Sequence, residues 1–136
     1  MAYDYSNYST WTPSLQLGGS SSGLTYTTQY GYYSLQGNVV VAQYYIVINA
    51  LGSSTGNATI TGLPYTCVSA GDFYNGNIAL SGVTFSTNYF VAGHVVLAST
   101  NYITLIQTGS NIPITNIVNT NLANGITLQG EIFYFI

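Results

Sequence analysis

Apolar and polar residues alternate with a period of two along most of the chain, and short clusters of Gly, Ser, Thr and Asn interrupt them every few positions. That pattern predicts short β-strands joined by turns. The longest run, 38–49, places Val39, Val41, Gln43, Tyr45 and Val47 on one side and Val40, Ala42, Tyr44, Ile46 and Ile48 on the other. Both sides are apolar, so this strand is expected to be covered on both faces. In a sandwich only one face meets the core, which leaves the second for another segment or another subunit. The last run, 126–136, has Ile126, Leu128, Ile132, Tyr134 and Ile136 on one side and Phe133 and Phe135 on the other. Further strands are expected at 10–17 (with Trp11, Leu15 and Leu17 on one face), 24–29, 31–35, 57–61, 78–85 and 89–92. A hairpin is expected over 94–98 and 101–107. Gly37-Asn38 and Asn124-Gly125 read as turns. The spans 67–77 and 109–114 read as loops, the first with one short extended piece, and 115–124 is ambiguous. No segment carries a sustained helical period with both caps.

Eight to ten such strands predict an all-β sandwich or barrel formed by residues 10–136. Residues 1–9, with Tyr3, Tyr5 and Tyr8 spaced among Asp, Ser and Asn, cannot build a core element alone. They read as a tail, or as an arm that adds to a neighbouring subunit's sheet.

Composition sharpens this picture. Among 136 residues there is no Lys or Arg; the acids are Asp4, Asp72 and Glu131, and the formal net charge is −3. Nucleic-acid binding lacks the cations it needs to displace counterions, and a basic patch for anionic lipid is impossible. Solubility must come from neutral polar groups, and nearly neutral surfaces associate, so an oligomer or a larger assembly is expected. Without cations its contacts cannot be salt bridges. Residues 1–5 show neither the basic nor the apolar region of a secretory signal, so none is expected, and no apolar run is long enough to span a membrane as a helix.

Candidate chemistry is sparse. His94, Cys67, Asp72 and Glu131 show no metal-ligand spacing, and no G-x-S-x-G elbow is present. Catalytic residues, metals and cofactors are all expected to be absent. Cys67 reads as a buried thiol and His94 as a strand-start histidine making one hydrogen bond. Tyrosine, with 14 copies, is the enriched type. It offers broad amphipathic contact at low entropic cost. Tyr44, Tyr45, Val47, Phe133 and Phe135 are the candidates for subunit contact. Tyr30, Tyr32 and Tyr33 are the candidates for receptor or sugar contact.

One series of residues is more specific. Thr10-Trp11-Thr12-Pro13-Ser14-Leu15 precedes a Gly/Ser loop and Leu24-Thr25-Tyr26. Then come Gln29-Tyr30-Gly31-Tyr32-Tyr33, Gly37-Asn38-Val39-Val40, and Ile60-Thr61-Gly62-Leu63-Pro64-Tyr65. This series resembles the C-terminal or head domains of tailed-phage tail fibres and minor virion proteins, over about residues 10–66. The resemblance implies a trimeric jelly-roll-like sandwich on a virion appendage. Because the module starts near Met1, a small separate virion protein is expected, such as a head fibre or capsid decoration subunit. Its expected partners are copies of itself, other virion proteins and a host-surface glycan, and its expected location is the virion surface. A carbohydrate-binding module without virion context and a secreted filament or surface-layer subunit fit the same composition.

Overall fold

The computed structural model describes residues 8–136. Tyr3 and Tyr5 of the expected arm lie outside the described residues. Among the described residues, ten strands form two antiparallel sheets, as the two-residue alternation predicts. The first sheet has the order β1 (Ser9–Trp11), β3 (Thr25–Gln36), β4 (Val39–Ala50), β10 (Thr127–Phe135), β6 (Ile78–Ser81). The second runs β2 (Ser14–Leu17), β5 (Ala58–Thr61), β8 (Ile103–Gly109), β7 (Tyr89–Val96). β9 (Ile112–Asn116) also pairs with β8. It takes up Ile106 to Gly109, whereas β5 takes up Ile103 and Thr104, so the two share one edge of β8.

The expected 10–17 strand is in fact two strands in two sheets. Pro13 cannot donate to a ladder, and the chain passes from one sheet to the other at Thr12-Pro13. Trp11, Leu15 and Leu17 nevertheless all reach the core. Conversely, the expected strands 24–29 and 31–35 are one strand, β3. Gly31, expected as the first residue of the later strand, sits in mid-strand, where it makes room: a Cβ on Gly31 would lie 2.5 Å from Trp11 Nε1. The indole N–H instead spans the hairpin, donating to the carbonyls of Tyr32 (3.1 Å) and Gln43 (3.0 Å). Likewise 89–92 and 94–98 merge into β7. The 109–114 loop is a tight turn at Ser110-Asn111 followed by β9. Asn111 adopts the left-handed conformation there (φ 56°), which asparagine tolerates.

The core lies between the sheets. Val40, Ala42, Tyr44, Ile46 and Ile48 of β4 and Leu128, Ile132 and Tyr134 of β10 face Leu15, Ile60, Ile103 and Leu105 of the second sheet, all buried. Buried polar side chains are paired. Gln107 accepts from the Ser86 N–H and donates to Ser86 Oγ, both at 3.0 Å. Asn121, in a short 3-10 turn at Asn119–Asn121, donates to the Thr84 carbonyl at 2.8 Å. Among the described residues no buried side-chain nitrogen or oxygen lacks a partner, which is the usual condition of a native interior.

Candidate functional site

The turn at Gly37-Asn38 pairs Gln36 with Val39 and thereby sets the register of β3 against β4. Counting outward along the hairpin and across to β10 gives rows on the outer face of the first sheet. One row is Tyr30, Tyr45 and Gln129; the next is Tyr32, Gln43 and Glu131; the next is Ser34, Val41 and Phe133. The aromatic rings meet within and across these rows. Tyr30 and Tyr45 stack at 5.4 Å and 15°, and Tyr30 and Tyr32 lie 5.6 Å apart. Tyr8 meets Tyr32 edge-on at 4.9 Å. Gln43 Nε2 donates to Glu131 Oε2 at 3.0 Å.

Tyr30, Tyr32, Gln43, Tyr45 and Glu131 line an open groove of about 530 Å³. Gln129 and, from the segment before β6, Asn77 complete its polar lining. Gly130, of opposite parity to Gln129 and Glu131, faces inward, where its missing side chain leaves room for the Tyr44 ring: a Cβ there would fall 2.5 Å from the Tyr44 hydroxyl.

Tyr44 is not at a subunit contact. It is 2 % exposed and points into the core, because residues of opposite parity in β4 face opposite ways. Its hydroxyl meets His94 Nδ1 at 2.8 Å, and His94 Nε2 meets the Asn75 carbonyl at 2.8 Å. A carbonyl only accepts, so Nε2 carries the proton and Nδ1 accepts from the Tyr44 O–H. His94 therefore makes two hydrogen bonds in mid-strand rather than one at a strand start. Burial holds it below the ordinary histidine pKa, with the Asn75 carbonyl acting weakly in the other direction. Burial likewise raises Tyr44 far above the ordinary phenol range.

Tyr33 parts from Tyr30 and Tyr32. It projects from the other side of β3, packs edge-on against Tyr65 and leans on the core. It is therefore not in the exposed tyrosine cluster. Tyr45, Val47, Phe133 and Phe135 do share the outer face with Tyr30 and Tyr32. The subunit-contact and receptor-contact candidates thus lie on one surface rather than two. The sequence pattern does not mark Gln43, Gln129 or Glu131 as binding residues, though counting from the Gly37-Asn38 turn pairs Gln43 with Tyr32. Cys67 is buried, and burial pushes its thiol pKa up, so it is a poor nucleophile. Asp72 accepts from the Ala98 N–H at 2.8 Å, a structural bond. Among the described residues no group of three His, Cys, Asp or Glu side chains could hold a metal ion.

No protein-family model matches the chain, and no curated protein matches it. Among solved structures, the crystal structure of the Dettilon tailspike protein superposes with a TM-score of 0.77 at 16 % identity. The match covers 94 % of this chain and 23 % of that one. The chain therefore has the fold of a segment of a tailspike and spans about a quarter of its length.

Proposed function

We propose that this chain is a structural subunit of a tailed-phage virion appendage, a self-assembling fibre-head or decoration module that contacts the host surface without catalysis. The observation that carries the reading is the shared fold with a segment of a tailspike over nearly the whole chain. The residue series from Trp11 to Tyr65 points the same way. A binding rather than catalytic role is supported by the separate duties of the acids: Asp72 holds a loop N–H, and Glu131 is engaged by Gln43. Assembly through the outer face is supported by Phe133 and Phe135, which are 37 % and 40 % exposed there.

Gold-labelled antibody against the chain, applied to gradient-purified particles, tests the placement. Label on an appendage or capsid surface is expected. Abundant protein in the lysate with none on particles would overturn the reading.

A further inference from the structure

We propose that the outer-face groove binds a neutral oligosaccharide. This deepens the attachment role and rests on it for its biological setting. The binding itself is a property of the groove and can be measured without any virion.

Three features select this class of ligand. The first is aromatic area. Tyr30 is 47 % and Tyr32 36 % exposed, and both are held by contacts with other rings rather than left mobile. The electron-rich face of such a ring attracts the polarised C–H bonds on the apolar side of a pyranose. Ring–ring contact in the free protein reduces the ordering cost of binding.

The second is the polar lining. Gln43 donates to one oxygen of Glu131, and a carboxylate has roughly four acceptor sites. Glu131 can therefore accept further bonds from sugar hydroxyls, and charge-assisted bonds of this kind are about twice as strong as neutral ones. Gln129 and Asn77 add amide donors and acceptors beside it. Alternating aromatic and amide groups match a ligand with one apolar face and a hydroxyl rim.

The third is charge. The chain contains no Lys or Arg to receive an anionic sugar, and the carboxylate in the groove repels one. Sialylated and uronate-bearing glycans are thereby disfavoured. The volume, about 530 Å³, lies inside the ~300–1,000 Å³ range of small-ligand sites.

The test uses the purified full chain on a glycan array carrying neutral hexose, N-acetylhexosamine and deoxyhexose oligomers together with sialylated and uronate oligomers. Hits are followed by titration calorimetry. Selective binding of a neutral oligomer is expected. Tyr30→Ala and Tyr32→Ala should each weaken it at least tenfold, and Glu131→Gln about tenfold. Phe90→Ser, at a 65 % exposed position in β7, should leave it unchanged. Both tyrosines are surface residues, and circular dichroism melts establish that the variants are folded. No binding to any oligomer would overturn the proposal, as would preference for the anionic set or affinity unchanged in folded Tyr30→Ala and Tyr32→Ala. A chain found on virions that binds no glycan loses this inference alone. One that binds a neutral glycan but is absent from particles loses the virion role alone.

Discussion

Tyr44 and Tyr45 are neighbours in β4 with the same side chain and opposite fates. Tyr44 is enclosed between the sheets and bonded to His94, whereas Tyr45 lies on the outer face, stacked on Tyr30. The inner face of β4 is a continuous buried stripe from Val40 to Ile48. The outer face mixes Gln43 with Val41 and Tyr45, and only part of it is covered by the chain itself. One residue step decides between a position fitted to a single neighbour and one that offers contact area. The inner face should therefore be intolerant of change. The outer face should tolerate change in the isolated fold and lose function instead.

The sharpest way to break that contrast is in β10. Gly130→Val places new atoms against the Tyr44 hydroxyl and close to the Asn77 carbonyl, which lies 3.0 Å from where a Cβ would stand. Neither has space to retreat, so a loss of about 3 kcal/mol in urea unfolding is expected, the upper end for overpacking. Gln129→Val, one residue away on the outer face, should stay within about 0.5 kcal/mol. Equal losses would mean that the two faces are not mechanically distinct.

The tyrosine pair gives the next effect. Tyr44→Phe leaves buried His94 Nδ1 without its donor and should cost about 1–3 kcal/mol, while Tyr45→Phe should cost less than about 0.5. The same couple sets a pH window. His94 is held neutral, its folded pKa below the unfolded value of about 6.5. Its contribution is present above that value and is lost as pH falls, because the unfolded chain then takes up a proton that the folded chain refuses. Tyr44 and Tyr134 have raised pKa values through burial. Their contribution is present below the phenol value of about 10 and is lost as pH rises past it. Unfolding free energy should thus form a plateau between these limits, and His94→Gln should flatten the acid limb specifically.

Much of the fold is legible because alternation survives in the residues themselves. The inner faces of β4 and β10, the Gly37-Asn38 hairpin and the β7–β8 pairing follow directly from it. Two of the boundaries that differ have a common cause. Gly31 resembles a strand end when only its missing side chain is considered, but an indole from a strand of distant sequence occupies that space. Thr10 to Leu17 keeps its alternation, yet Pro13 transfers it between sheets. Both are tertiary effects that periodicity does not encode. The groove is half legible. Tyr30 and Tyr32 stand out as exposed aromatics, and pairing outward from the turn brings Tyr45 and Gln43 beside them. Glu131 stays hidden because its place next to Gln43 depends on a pairing between strands far apart in the chain. Tyr33 misleads because a cluster in sequence splits between two faces in a strand.

The smallest expected effect is that of salt, and its smallness is informative. If the outer face joins subunits, the contact has no Lys or Arg to pair with acids. Its stability must come from apolar burial around Phe133 and Phe135 and from neutral hydrogen bonds, which a shorter screening length barely touches. Light scattering should therefore return the same native mass, a trimer or a multiple of one, in low salt and in about 1 M sodium chloride. Removing apolar area should do what salt does not: Phe133→Ser combined with Phe135→Ser is expected to shift the mass to a monomer whose circular dichroism spectrum is still that of the folded chain, at a lower melting temperature because Phe135 also packs on Phe73. Dissociation by salt would place charge at the contact. A wild-type monomer in both buffers would mean that the phenylalanines serve the groove face or another virion protein, and the outer face would then be a ligand surface alone.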